Sequence, residues 1–367
     1  NVFRYGQCNQ QIGCSGPVLC RMISCTPPWH FENCTTDVAT DNNTTDHSAP
    51  CLPSAYTAIQ RRYDQLGGPG SVLGASIGPE YGVPGGSAQA TVTGRLYDSA
   101  AGVFWLHGAI LATFDARGGQ QVFGLPTSDE TGIIGGAYVS FTLRAWIISS
   151  STGTWPVRGG TLDRWYADGR DRSAVGLPTG DPVAIAGGAT VTRFQHGLIT
   201  SGPPGSFSIS APIVAAYDRF GPLTFGAATG QATAVAGGHE QRFVRQAAIF
   251  AGGAGAFLVP GQILAAYDAH GGAAGVLGFP LADPVVSADR RATVSRFQSG
   301  AVVSSAAVGT HEVHGPIAAT WQADGAEGGS LGLPVTDVQT GAGGVQFSDF
   351  EGGRLTYDPA TGQVTRS

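Results

Sequence analysis

The sequence predicts an α+β repeat protein in which six tandem units, each a short helix and a three-stranded β-meander, follow a small disulfide-rich N-terminal module. Three observations carry that prediction. The phrase typified by Val276-Leu277-Gly278-Phe279-Pro280 recurs with its glycine at Gly74, Gly124, Gly176, Gly226, Gly278 and Gly332, in steps of 50, 52, 50, 52 and 54 residues. A turn glycine follows in constant phase, at Gly102, Gly153, Gly205, Gly255, Gly309 and Gly362, always 28 to 31 residues later. All six cysteines, in contrast, lie in the first 51 residues. Self-similarity at a fixed period of this size is the signature of an array whose units bury their apolar faces against one another.

The N-terminal module is assigned to residues 1–52. Cys8, Cys14, Cys20, Cys25, Cys34 and Cys51 form an even set in a short, polar, turn-rich stretch, which reads as a disulfide framework of an exported protein. Their spacing contains no C-x-x-C pair, so a zinc site is the weaker reading, and the pairing stays open among 15 connectivities. Nothing at Asn1 resembles a signal peptide, so the chain reads as a trimmed form of a longer export product.

Residues 53–367 divide into units at about 53–108, 109–159, 160–211, 212–261, 262–315 and 316–367. Each opens with an aliphatic residue followed four later by an aromatic: Ile59/Tyr63, Ile110/Phe114, Leu162/Tyr166, Ile213/Tyr217, Ile263/Tyr267 and Ile317/Trp321. That spacing puts both on one helical face, and a glycine pair such as Gly67-Gly68, Gly118-Gly119 or Gly271-Gly272 stops each helix early. The recurring phrase is the corner that follows. Its Leu or Phe plugs the core, its glycine takes a backbone angle or close approach that a side chain would forbid, and its proline stiffens the exit. Period-2 runs such as Thr190 to Ser210, broken at His196-Gly197 and Pro203-Pro204-Gly205, then predict three antiparallel strands. Neither end of the array resembles a polar capping unit, which favours a closed, propeller-like ring over an open solenoid.

Composition excludes several functions. With a net charge of −6 the chain has no basic face for nucleic acid or anionic lipid. All 20 basic residues are arginine, which reads as the codon bias of a high-GC genome. No run reaches the roughly 18 apolar residues of a membrane span. No P-loop, Rossmann glycine pattern or nucleophile elbow stands in a strand-to-helix context. His311-Glu312-Val313-His314 has the wrong spacing for a zinc-protease helix and lies in a predicted strand, so neither metal nor cofactor is expected.

An acidic residue follows the phrase glycine by five positions at Asp129, Asp181, Asp283 and Asp337, with Pro79 and Gln231 in the other units. Its fixed phase with a turn predicts a carboxylate accepting backbone N–H bonds rather than a metal or sugar ligand. The repeated aromatics read as core. Trp105, Trp146, Trp155 and Trp165 stand apart from the repeat pattern and are the candidate ligand-binding platforms for a sugar.

The units, with "AAYDAHGGAAGVLGFPLADP" and "RFQSGAVVSS" as the clearest instance, resemble the LGFP repeat of actinobacterial cell-envelope proteins. The resemblance covers about residues 53–367. It implies a secreted, wall-associated protein, because in that family the repeats accompany exported enzymes, including mycolyltransferases and peptidoglycan amidases, and are proposed to hold them on the wall. Neither of those catalytic domains is visible in this sequence. The expected function is therefore non-catalytic binding to cell-wall polysaccharide or peptidoglycan. A protein–protein scaffold or surface-assembly subunit docking through the Cys-rich module is the first alternative. A secreted glycan hydrolase with a pocket between repeats is the second.

Overall fold

A computed structural model describes residues 56–367 together with the backbone of three antiparallel strands, Tyr5–Cys8, Val18–Met22 and Phe31–Thr35. The disulfide expectation for Cys8, Cys14, Cys20, Cys25, Cys34 and Cys51 falls outside the described side chains. The chain divides into two compact bodies, Asn1–Glu130 and Thr131–Ser367.

The repeat is visible as six four-stranded antiparallel sheets in simple meander order. Each follows a short helix: Ala58–Gln65, Gly108–Ala116, Gly159–Ala167, Ile213–Phe220, Gly261–Ala269 and Gly315–Ala323. The meander thus has four strands where the alternation pattern predicts three. The additional strand lies directly after the corner phrase. It is only two or three residues long in five units, as at Thr131–Ile133 and Val285–Val286, too short to display a period. Every sheet is open, with this strand on one edge and the last strand on the other.

The corner phrase is built alike in every unit. The plug residues Leu73, Phe123, Val175, Phe225, Leu277 and Leu331 are at most 1 % exposed. All six phrase glycines have φ between 69° and 78°, the left-handed region closed to most side chains. The helix aromatic reaches over to this corner. The hydroxyl of Tyr267 donates to the Gly278 carbonyl at 2.7 Å, and the Trp321 indole donates to Gly332 at 2.9 Å. In units 3, 5 and 6 a side chain from the second hairpin completes the corner. Gln195, Gln298 and Glu351 accept the N–H of Leu177, Phe279 and Leu333 at 2.9, 2.9 and 3.0 Å.

In unit 3 the aromatic that fills this place is Trp165, not Tyr166. Trp165 is fully buried and donates to Gly176 at 2.9 Å, whereas Tyr166 is 59 % exposed. The core pair on that helix is Leu162/Trp165, at i,i+3, which is equally one helical face. The step of 11 residues from aromatic to phrase glycine, seen also at Tyr63, Tyr267 and Trp321, identifies the correct residue.

Cores are shared between consecutive units. Ala248, Phe250 and Val259 of unit 4 pack with Ile263, Tyr267, Leu277 and Phe297 of unit 5. Two polar links accompany them. An arginine on the sheet of one unit pairs with an acid on the next unit's helix or the turn after it: Arg95–Asp115, Arg144–Asp163, Arg193–Asp218, Arg242–Asp268 and Arg296–Glu327. The residue five after the phrase glycine forms the second link. Asp129, Gln231, Asp283 and Asp337 accept the backbone N–H of Trp105, Ser208, Leu258 and Glu312, each on the last strand of the preceding unit. The expected N–H acceptor is therefore a strap between units, and it occupies donors on an exposed sheet edge.

Candidate functional site

The straps and shared cores leave a groove between the first hairpin of one unit and the turn that ends the next unit's helix. Two such grooves open into cavities. The one between units 2 and 3 holds about 660 Å³ and is lined by Gly132, Ile133, Ile134, Arg170, Asp171 and Arg172. Its counterpart between units 4 and 5 holds about 370 Å³ and includes Glu240, Arg242 and Asp268. Shape is common to both, and side-chain chemistry is not.

Beside Arg170 of the unit 2/3 groove, Tyr138 lies flat on Trp146, with ring centroids 3.9 Å apart and planes 9° from parallel. Trp146 meets the buried Trp165 and the exposed Tyr166 edge to face, each at 6.0 Å. The Arg170 guanidinium sits over the rings of Trp146 and Tyr166 at 5.9 and 5.4 Å, within reach of the ring quadrupoles. Asp171 is turned inward, where its carboxylate accepts the Ile134 N–H at 2.8 Å and its side chain is only 8 % exposed.

Arg170 holds this place in a left-handed backbone conformation, φ 58°. Gly68, Gly119 and Gly272 stand at the same point of their units with φ of 56°, 54° and 57°. A side chain there costs about 1 to 2 kcal/mol. Unit 3 therefore carries an arginine, and unit 6 an alanine, Ala326 at φ 53°, in a strained conformation where three other units carry glycine.

Of the four tryptophans expected to be platforms, Trp146 alone belongs to this partly exposed cluster. Trp165 is excluded by its complete burial. Trp155 does not break the repeat. It lies over the turn glycine Gly153, as Phe104, Phe207 and Phe257 lie over Gly102, Gly205 and Gly255, and its indole donates to Thr152 at 3.0 Å. Trp105 packs against the core of unit 1 beside His107, ring centroids 4.6 Å apart. Tyr138, Tyr166 and Arg170 were not distinguishable by residue type. The signal that marks Arg170 is an arginine at the second place of a pair that is Gly-Gly in units 1, 2 and 5, Gly221-Pro222 in unit 4 and Gly325-Ala326 in unit 6.

The unit 4/5 groove is acidic. Glu240 is 8 % exposed and burial pushes its carboxyl upward, an effect that the adjacent Arg242 opposes. Arg242 also forks onto Asp268 with two bonds of 2.8 Å. Between units 5 and 6, His314 contacts the fully buried Glu312 at 2.8 Å, and His311 contacts Asp337 at 3.2 Å. His311, Glu312 and His314 stand on the strand Gly309–His314. Among the described residues no group of three or more His, Cys, Asp or Glu has the geometry to hold a metal ion. No helix there is long and apolar enough to cross a membrane.

No curated protein matches the sequence. Among solved structures, a streptogramin B lyase is similar at 10 % identity over 65 % of this chain and 66 % of its own, with a TM-score of 0.13. BamB from Moraxella catarrhalis is similar at 8 % identity over 81 % and 76 %, also with a TM-score of 0.13. Neither likeness bears on fold or activity. The family model described as the LGFP repeat matches residues 123–173 and 277–329, segments that contain the corner phrases of units 2 and 5. These two segments are LGFP repeats.

Proposed function

We propose that this is a non-catalytic, secreted protein of the cell envelope that binds cell-wall polysaccharide or peptidoglycan through the grooves between its units. The observation that carries this reading is the Tyr138/Trp146/Tyr166/Arg170 cluster. It places the exposed ring of Tyr166 and a guanidinium at the edge of a groove, backed by Trp146 and Tyr138 against the core. Aromatic faces suit the C–H surface of a pyranose, and several weak grooves on one chain raise avidity for a polymer with repeating epitopes. The LGFP repeat supports a surface location. Oxidation of the six N-terminal cysteines belongs to the same proposal, supported by their clustering.

The test is co-sedimentation of the purified chain with insoluble cell-wall sacculi, before and after removal of their attached polysaccharide, with soluble sugar measured in the supernatant. Saturable sedimentation without sugar release is the expected result, and loss of binding on stripping identifies the polymer. Release of sugar transfers the reading to a hydrolase, for which the buried Glu240 beside Asp268 is the favouring observation. Absence of both refutes the proposal and leaves a protein partner docking through the Cys-rich module.

A further inference from the structure

We infer that the groove between units 2 and 3 is a site for an acidic saccharide, with Arg170 and Arg172 receiving the anionic group and Trp146 and Tyr166 flanking the sugar ring. The inference rests on the wall-binding reading and adds to it a place and a ligand charge. Both arginines line the 660 Å³ cavity. Arg172 has no side-chain partner among the described residues and is exposed. Arg170 has no close carboxylate: the nearest, Asp171, is 4.0 Å away and already accepts the Ile134 N–H. The Arg170 guanidinium sits over two rings and its N–H donors have no hydrogen-bond partner among the described residues, which leaves them for an anion.

The contrast with the clasp arginines supports the assignment. Arg95, Arg144, Arg193, Arg242 and Arg296 are each held by a carboxylate of the next unit, so their charge is spent within the protein, whereas Arg170 and Arg172 are not. Arg170 and Arg172 concentrate positive charge in a chain of net charge −6. A neutral sugar needs no guanidinium, whereas a carboxylate or phosphate on a sugar does. Both sources present a pair of anionic oxygens that a guanidinium fork can bind, and the experiment distinguishes them.

Arg170→Gly is the informative variant, because glycine is the residue that other units carry at this backbone angle. It removes the guanidinium while relieving strain, so the melting temperature is expected to stay level or rise. Binding of three soluble probes to the full chain is measured by calorimetry at low and moderate salt: oligogalacturonate, a phosphomannan and neutral galactan. The expected result is that one or both acidic probes bind and galactan does not. Arg170→Gly and Arg172→Ala should each weaken acidic binding by about tenfold or more. A uronate source is assigned if oligogalacturonate alone binds, and a phosphodiester-bearing sugar if the phosphomannan alone binds. The inference is overturned if galactan binds as well as the acidic probes, or if Arg170→Gly leaves binding unchanged. It is also overturned if no probe binds while the chain still sediments with sacculi, which leaves the wall-binding reading standing. Failure of both sedimentation and probe binding removes the two together.

Discussion

Replacing Gly278 with alanine tests how the corner phrase works. A Cβ on Gly278 would stand 2.7 Å from Oε1 and 3.1 Å from Cβ of Gln298, at a backbone φ of 71°. Two costs follow. Holding an L-residue in the left-handed region costs about 1 to 2 kcal/mol. Displacing Gln298 breaks its 2.9 Å bond to the Phe279 N–H and leaves a buried donor unpaired, another 1 to 2 kcal/mol, roughly. Gly278→Ala should therefore destabilise by about 3 kcal/mol. Gly315 is the control. Its φ is 61° but no atom lies within 4 Å of the position a Cβ would take, so Gly315→Ala should cost about 1 kcal/mol, the backbone part alone. In the double variant Gly278→Ala/Gln298→Ala the cap is lost only once, so its cost should fall short of the sum of the singles by about 1 kcal/mol. Urea unfolding followed by circular dichroism measures the stabilities, and hydrogen exchange in unit 5 localises them. Equal costs for Gly278→Ala and Gly315→Ala, or strict additivity in the cycle, would refute the reasoning.

Glu351 fills in unit 6 the place that Gln195 and Gln298 fill in units 3 and 5. Its bonds to Arg291 and to the Leu333 N–H hold its carboxyl below the usual range, so the stability it contributes is complete above that range and is lost as pH falls through the lowered value. Glu351→Gln should keep the cap at Leu333 and flatten the acid limb of a stability–pH profile, and an unchanged acid limb would count against this. Asp283→Ala should speed amide exchange at Leu258 by about tenfold, while Asp283→Asn, which keeps the accepting oxygen, should change it little. Equal exchange rates in the two variants would show that the strap does not protect that edge.

The period, the plug residues and the left-handed glycines were all legible in the sequence because each is a local requirement of one turn. The short edge strands were not, since Val285–Val286 is too brief to alternate. Register on the unit 3 helix was ambiguous because Trp165 and Tyr166 are adjacent aromatics and both i+3 and i+4 share a face with Leu162. The links between units show the sharper limit. Arg242 and Asp268 are both conspicuous in the chain, but nothing local says that residues 26 apart meet. The candidate site has the same character. Tyr138, Trp146, Tyr166 and Arg170 come from a hairpin, a helix and a turn of two units, and only packing assembles them.

The split of each Arg–acid pair between successive units has a mechanical consequence. A chain tethered to a wall at one end and loaded at the other meets one set of such clasps per junction, and opening one set exposes the next. Each opened unit of 50 to 54 residues frees slack. At up to about 3.4 Å per residue that is roughly 170 Å of contour length. Under tension the array would lengthen in discrete increments rather than let go at once, a repeating sawtooth in a pulling trace.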